Sequence, residues 1–187
     1  MTAVNSVQVT TWFLEMTDPT RLPAAPAPGP ELEVRRAELP SPELSRMLYT
    51  AVGSDWYWTD RLSWSWERWH AWLARDELET WVAYVRGTPA GFFELERHGD
   101  AVEIASFGLL PAFIGRGLGT RLLDFALRRA WELTPARVWV HTCSLDGPAA
   151  LRTYQRRGLE IYDERFENVV LPDERPQPWP GAERPAA

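Results

Sequence analysis

The chain has 187 residues, enough for one domain with a full hydrophobic core. Its net charge of -6 argues against a broad nucleic-acid interface, which needs a basic surface, and is compatible with a small cationic partner. The single cysteine excludes an internal disulfide framework, and no apolar run reaches the length of a membrane span. We therefore expect a cytoplasmic protein that acts on neither nucleic acid nor membrane.

The N-terminal part predicts a strand, a linker and the first elements of a main domain. Val7–Met16 alternates in part and is rich in β-branched and aromatic residues, which predicts a strand ahead of the main domain. Pro and Ala dominate Asp18–Pro30 and predict an extended linker or arm. A strand at Leu32–Leu39 and a helix from Ser41 to Gly53 follow, with Ser41 as the N-cap. We accordingly divide the chain into an appendage at 1–31, a main domain at 32–171 and a flexible tail at 172–187.

Seven of the eleven tryptophans lie between Trp56 and Trp81, and several of them follow a helical spacing. One interpretation is that these rings fill the core, as tryptophan does in most proteins. The other is that some of them line a pocket for an apolar or cationic substrate, because indole faces attract ammonium groups. Both interpretations stay open, and Trp58, Trp66 and Trp69 are the candidate pocket residues.

The rest of the chain predicts a mixed α/β fold. Two strands, Glu79–Arg86 and Ala90–Arg97, form a hairpin across Gly87, Thr88 and Pro89, and a turn at His98 leads into a third strand. The later elements are the strand Ala101–Leu110, the helix Gly117–Leu133, the strand Arg137–Cys143, the helix Pro148–Arg157 and the strand Leu159–Leu171. This order predicts a mixed central sheet of six to seven strands with helices on both faces, an α/β (α+β) architecture.

Three alternating glycines open the helix that follows Ala101–Leu110, in the segment Ile114–Thr120 (IGRGLGT). Several backbone N–H groups can converge there at the positive end of a helix dipole, which favours a pyrophosphate ligand. A P-loop is excluded because the chain has no lysine, and the dinucleotide fingerprint is excluded because the third glycine comes one residue too soon. The alternative is a glycine-rich connection without a ligand.

Two separated motifs narrow the choice of ligand. Leu109-Leu110-Pro111 precedes Ile114-Gly115-Arg116-Gly117-Leu118-Gly119, and the later helix carries Asp146, Ala149, Tyr154, Gly158 and Leu159. The first motif is similar to apolar-x-Pro followed by Gln/Arg-x-x-Gly-x-Gly/Ala, with Ile114 at the Gln/Arg position. The second is similar to Asn-x-x-Ala-x-x-x-x-Tyr, with Asp146 at the Asn position. Together with the element order over 32–171, the motifs resemble those of the GNAT superfamily of acyl-CoA-dependent N-acetyltransferases.

The resemblance implies that acetyl-CoA is the co-substrate, that no metal is used, and that acetyl passes directly to a primary amine of a small molecule. The pyrophosphate would bind the N–H groups of Arg116, Gly117, Leu118, Gly119 and Thr120, with Gly115 shaping the turn. Phe107, Leu109 and Leu110 would line the pantetheine, which pairs with this strand as an additional strand. Ile114 and Asp146 occupy the side-chain positions of the two motifs.

The resemblance also implies catalytic residues. In the histone-acetyltransferase branch the base is a glutamate six residues before the apolar residue of apolar-x-Pro, and that position is Glu103 here. Tyr154 would be the acid that protonates the departing thiolate. The residues themselves leave rivals open: Glu94 and Glu96 on the preceding strand, and His141, whose ordinary pKa suits a base. Glu94 and His141 are also candidate contacts to the acceptor.

The acceptor itself is not indicated by any motif. A CoA-binding regulatory or structural module without catalysis, a transferase acting on hydroxyls, and a user of longer acyl-CoA all stay open as alternatives. The oligomeric state is also open, a homodimer included.

Overall fold

The computed structural model describes residues 6–24, 32–172 and 174–182. The expectations for the second half of the linker and for the end of the tail concern residues outside these ranges.

Within the described ranges the fold has seven strands and four α-helices. The strands are β1 Ser6–Met16, β2 Glu33–Arg36, β3 Leu78–Val85, β4 Thr88–His98, β5 Ala101–Leu109, β6 Arg137–Cys143 and β7 Glu160–Val170. The helices are α1 Pro42–Gly53, α2 Trp66–Leu73, α3 Leu118–Glu132 and α4 Ala150–Arg156. These strands form one sheet in the order β2-β3-β4-β5-β6-β1-β7; the β5–β6 pair is parallel and the other five pairs of described strands are antiparallel. The predicted mixed sheet with helices on both faces is confirmed.

From its place in the sequence, β1 is predicted to stand ahead of the main domain. The structure places it elsewhere. It lies inside the sheet, antiparallel to both β6 and β7, and Leu14 and Met16 are fully buried in the main core. The beginning of the predicted linker is also packed: Leu22 contacts the main core, and Arg128 Nη2 donates to the Pro23 carbonyl at 2.7 Å. Residues 6–24 are therefore bound to the fold by backbone pairing and burial.

Local sequence signals explain how several elements begin and end. Ser41 Oγ accepts a hydrogen bond from Leu44 N at 3.4 Å and Pro42 occupies the first position of α1, as predicted. The β3–β4 hairpin turns at Arg86 and Gly87, whose φ angles of 51° and 78° fit a two-residue turn with left-handed central residues. Thr88 and Pro89 therefore belong to β4, and the turn lies before the predicted one.

The two faces of the sheet differ in what covers them. On one, the α3/α4 face, leucines and alanines of α3 pack on β4, β5 and β6 to form the main core. On the other, the α1/α2 face, α1 and α2 pack on β3, β4 and β5 around Leu48, Val52, Val82 and Phe92. None of the helices in the described ranges is long and apolar enough to cross a bilayer.

Candidate active site

β5 and β6 separate after a short parallel ladder. The ladder runs only from Ala101/Arg137 to Glu103/Trp139, although both strands continue. Ala105 is an extra residue in the pairing of β5 with β4, because Glu94 faces Ser106 while Leu95 faces Ile104. The bulge and the separation together open a cleft between the two strands, and Glu103 lies where the cleft begins.

The glycine turn lies beyond the far end of β5. Gly115 and Gly117 have φ angles of 82° and 75°, a left-handed conformation that residues with a Cβ rarely adopt. Gly117 is the N-cap of α3 and has no side chain to accept from the first helical N–H groups. The turn thus presents uncapped donors of a helix N-terminus, which is a suitable arrangement for an anion.

The residues predicted around this turn differ in exposure. Ile114 is 50 % exposed, and the exposed Arg116 places its guanidinium 5.5 Å from the Phe113 ring centroid. Leu109 and Leu118 are buried in the main core. Leu110 directly follows the end of β5 and is half-buried. Gly119 and Thr120 lie in the first turn of α3 and are also half-buried.

Glu103 is held by two histidines on the α1/α2 face. Its side chain is only 12 % exposed; His98 Nε2 lies 3.0 Å from one carboxylate oxygen, and His141 Nδ1 lies 3.4 Å from the other. The neighbouring Glu103 carboxylate raises the pKa of His141, with smaller contributions from Asp146 and Asp60 against the opposing effect of burial. The structure therefore brings Glu103 and His141 together across the mouth of the cleft.

The sequence predicts a turn at His98, but His98 is the last residue of β4 and its side chain contacts Glu103. The sequence signal for this contact is the strand register. A tight turn after His98 pairs His98 with Ala101 and Glu96 with Glu103. His98 and Glu103 are then diagonal neighbours on the same face of the sheet. Glu96, His98 and Glu103 bring their donor atoms within 4.8 Å of one another. Arg75 Nη1 already binds Glu96 at 2.6 Å, so we assign these side chains to a hydrogen-bonded network, and the absence of a metal requirement stays a prediction.

The tryptophan-rich segment encloses an arginine of this chain. The Arg61 guanidinium lies 4.3 Å from the Trp72 ring centroid and within 6.0 Å of those of Tyr49, Trp64 and Trp69. Arg61 Nη1 also binds Glu94 Oε2 at 2.7 Å, and Ser106 donates to the same oxygen. The aromatic cage is thus filled from within, and Glu94, predicted to contact the acceptor, is 1 % exposed and neutralised.

The three tryptophans predicted to line a pocket occupy different environments. Trp69 is 1 % exposed and belongs to the cage, which contradicts its assignment to a pocket. Trp58 packs on Tyr49 and Phe92 and is half-buried. Trp66 is 54 % exposed on α2 and donates its indole N–H to Glu43. The core interpretation therefore holds for Trp69 and Trp58, because both rings pack on Tyr49 of α1.

Tyr154 lies on the α3/α4 face, across the sheet from Glu103. Its ring meets Phe107 edge-on at 6.0 Å and so connects α4 with the part of β5 that borders the cleft. Burial, and secondarily the charge of Asp146, raises the pKa of the Tyr154 phenol. Asp146 itself accepts from Thr142 Oγ1 at 2.7 Å and from Cys143 N at 2.9 Å, so its carboxylate holds the turn after β6.

Comparison with known proteins identifies the family. Residues 45–159 match the family model described as "Acetyltransferase (GNAT) family". A search of curated proteins found no match.

Solved structures show the same fold at low sequence identity. A GCN5-related N-acetyltransferase from Sphaerobacter thermophilus is 17 % identical with a TM-score of 0.65, and one from Kribbella flavida is 18 % identical with a TM-score of 0.60. The chain aligns over 90 % and 86 % of its own length but covers only 54 % and 58 % of those two proteins. An aminoglycoside acetyltransferase from an uncultured soil sample (15 % identity, TM-score 0.56, 68 % of this chain and 87 % of that one) is also similar. Because the family model spans more than half of the sequence, this chain belongs to the GNAT acetyltransferase family.

Proposed function

We propose that this protein transfers the acetyl group of acetyl-CoA to a primary amine of a small molecule. The observation that carries the proposal is the cleft between β5 and β6, which begins at the Glu103–His141 pair and leads toward the glycine turn. A donor with an anionic end and a narrow arm can bind along such a cleft, with its acyl group near the pair.

The glycine turn binds the donor's pyrophosphate. Left-handed Gly115 and Gly117 let the chain turn tightly, and the uncapped N–H groups that follow donate to the phosphate oxygens. In the cleft, β5 has no ladder partner on β6 beyond Glu103 among the described residues, so its free edge near Phe107 and Leu109 can pair with an extended ligand. Bound acetyl-CoA supplies the thioester, and the backbone of this chain aligns it.

The Glu103–His141 pair removes the proton that keeps an ammonium from attacking. His141 faces Glu103 with Nδ1, which leaves Nε2 on the other side of a ring that is 46 % exposed. The carboxylate orients the imidazole and stabilises its protonated form, so the pair can accept the proton at the solvent-facing nitrogen. Glu103 is the positioning member, since its own oxygens both lie against imidazoles.

Tyr154 is the proposed acid for the leaving thiolate. A phenol whose pKa is raised by burial stays protonated at neutral pH, and its O–H can donate to a developing negative charge. Its contact with Phe107 puts it beside the strand along which the donor would lie. Donor, base and acid would then meet at one cleft from opposite faces of the sheet.

Donor binding is tested with a matched pair of glycine variants. Gly117→Ala introduces a Cβ at a positive φ in the turn, and Gly87→Ala does the same at φ 78° in the distant β3–β4 hairpin. In calorimetric titrations, Gly117→Ala should weaken acetyl-CoA binding at least tenfold, while Gly87→Ala should bind as the parent protein does. No binding of acetyl-CoA by the parent protein at millimolar ligand would end the proposal.

Catalysis is tested by thiol release from acetyl-CoA with a panel of amines. We expect His141→Gln and Tyr154→Phe each to lower kcat by about 10²–10⁴-fold, the usual contribution of a general acid or base. Glu103→Gln should lower kcat as well, because His141 loses the carboxylate that orients it. Arg116→Gln, which changes an exposed residue of the turn, is the control for donor affinity and should act mainly on the KM for acetyl-CoA. Unchanged turnover in the first three variants would refute the residue roles, and donor binding without any turnover would favour the non-catalytic CoA-binding alternative.

A further inference from the structure

Strand β7 forms one edge of the sheet. It pairs with β1 on one side, and among the described strands none lies on its other side. Most of its eleven residues are exposed, and its register shift lies near its start, at Tyr162, so that 163–170 is regular. The strand contains neither proline nor lysine, two residues that protect many natural sheet edges. Its outer edge therefore offers a row of backbone donors and acceptors to a further strand.

The α3/α4 face of β7 carries exposed apolar side chains. Phe166 and Val170 lie opposite Thr10 and Ser6 of β1. By alternation along β1, these positions share the face on which Trp12 packs against the main core. Phe166 and Val170 are each 63 % exposed. A second strand beside β7 would bury part of this apolar surface.

The opposite face of β7 carries charges of alternating sign, in the order Asp163, Arg165, Glu167. Arg165 Nε binds Asp163 at 2.9 Å, and the guanidinium lies 4.5 Å from the Phe13 ring centroid. Because a guanidinium has five N–H donors, these contacts leave donors for a second carboxylate. Glu167 is exposed and forms no ion pair within the described part of the chain.

A second copy of β7 complements this edge in an antiparallel register. In a symmetric antiparallel pair, one residue lies opposite its own copy and the residues beside it pair crosswise. With Phe166 at that central position, Arg165 of each copy lies opposite Glu167 of the other. Glu164 lies opposite Asn168 of the other copy, whose amide can donate to the carboxylate. The register thus forms two opposite-charge pairs and one aromatic pair, the kinds of cross-strand contact that stabilise sheets.

The other symmetric registers are less favourable. Residues 163–165 and 167 are all charged, so a pair centred on any of them sets a charge directly against its own copy. A pair centred on Asn168 overlaps only over 166–170 and forms no opposite-charge pair. A centre between two residues would oppose side chains from different faces, which the pleat of a sheet does not allow. The charge pattern of β7 therefore selects the register centred on Phe166.

We propose that β7 joins two copies of this chain into a symmetric dimer with one continuous sheet. The Phe166 rings meet at the two-fold axis on the α3/α4 face, and the two Arg165–Glu167 pairs flank the axis on the other face. Backbone hydrogen bonds and apolar burial supply the affinity, and the charged pairs set the register. Strands β6 and β1 lie between this interface and the β5–β6 cleft, so the inference goes beyond the proposed function.

Sedimentation velocity of the full chain measures the association. We expect the mass of two chains at about 100 µM protein. Arg165→Glu and Glu167→Arg each turn both opposite-charge pairs into like-charge pairs, and each should weaken the dimer about tenfold or more. The matched control is Glu33→Arg, which also breaks an exposed ion pair with an arginine, Arg35, but on β2 at the other edge of the sheet. This variant should associate as the parent protein does.

A mixture of the two weakened variants tests the register. Arg165→Glu has acidic residues at both 165 and 167, and Glu167→Arg has arginines at both. An antiparallel pair of one with the other therefore restores opposite charges at both contacts. Mixing the two at equal concentration should recover the dimer to within a few-fold of the parent affinity, which misfolded variants could not do.

Three results would overturn the inference. A parent protein that stays monomeric at about 100 µM would show that the edge does not take a second copy. Association that survives both charge reversals would place the contact between copies on another surface. A mixture that stays as monomeric as its two components would refute the register. All three are read from mass without substrate, so they are independent of whether acetyl transfer is observed.

Discussion

Replacing Arg61 with methionine should strongly destabilise the fold, because the Glu94 carboxylate would stay buried without its cation. The two side chains are 12 % and 1 % exposed and meet at 2.7 Å. Ser106 donates a second hydrogen bond to Glu94 at 3.0 Å, but a hydroxyl cannot neutralise a carboxylate. The four rings of the cage would also lose the guanidinium that they surround.

The expected loss follows from the geometry. Two unit charges 2.7 Å apart attract by about 6 kcal/mol at an effective dielectric constant of about 20. Entry of water into the site reduces this, and removing one partner of a buried pair typically costs about 3–5 kcal/mol. For a chain of this length that corresponds to a fall of roughly 6–20 °C in the melting temperature. The double variant Arg61→Met/Glu94→Gln should recover most of the loss, because no buried charge is left.

Urea unfolding followed by circular dichroism measures these differences. Arg35→Met is the control: Arg35 also binds a glutamate, Glu33, at 2.6 Å, but its side chain is 70 % exposed. An exposed pair contributes at most about 1 kcal/mol, so this variant should stay close to the parent protein. If Arg61→Met were as mild as Arg35→Met, or the double variant less stable than Arg61→Met, the buried-pair reasoning would be refuted.

Elements with local signals could be predicted from the sequence, and long-range pairing could not. The Ser41-Pro42 start of α1 and the alternation of β3 and β4 are properties of a few neighbouring residues, and the structure has them as expected. The position of β1 between β6 and β7 depends on partners more than 120 residues away. Nothing within Val7–Met16 specifies those partners, so the sequence alone predicts an appendage.

The candidate site, like the fold, has features that local sequence predicts and features that depend on long-range pairing. The spacing before Pro111 selected Glu103, and the start of the cleft at that residue agrees with this choice, whereas its pairing with His98 depends on strand register. The tryptophans alone do not predict the cage, because its cation comes from the arginines that lie between them in the sequence. Arg61, Arg68 and Arg75 recur every seven residues, and each places its guanidinium over Trp64 or Trp72. This alternation of arginines with tryptophans in the sequence indicates that the rings pair with guanidinium groups of the same chain.

Two further predictions concern the packing of α1 and the pH dependence of the reaction. Gly108→Ala would place its Cβ against Val52 Cγ1, closer than van der Waals contact allows, and should cost about 1–3 kcal/mol in urea unfolding, with Gly108→Ala/Val52→Ala more stable than the sum of the single changes predicts. For the reaction, Glu103 raises the pKa of His141 above its ordinary value, so kcat/KM should fall as pH drops through that raised pKa and His141 becomes protonated. The same pair stabilises the fold below the ordinary histidine pKa of about 6.5, and this contribution disappears as pH rises through the raised value. Glu103→Gln removes the charge that raises the pKa, so both the His141 titration seen by NMR and the acidic limb of the residual activity should move to lower pH. A limb that stays in place while the His141 titration moves would show that another group sets the protonation state of the amine.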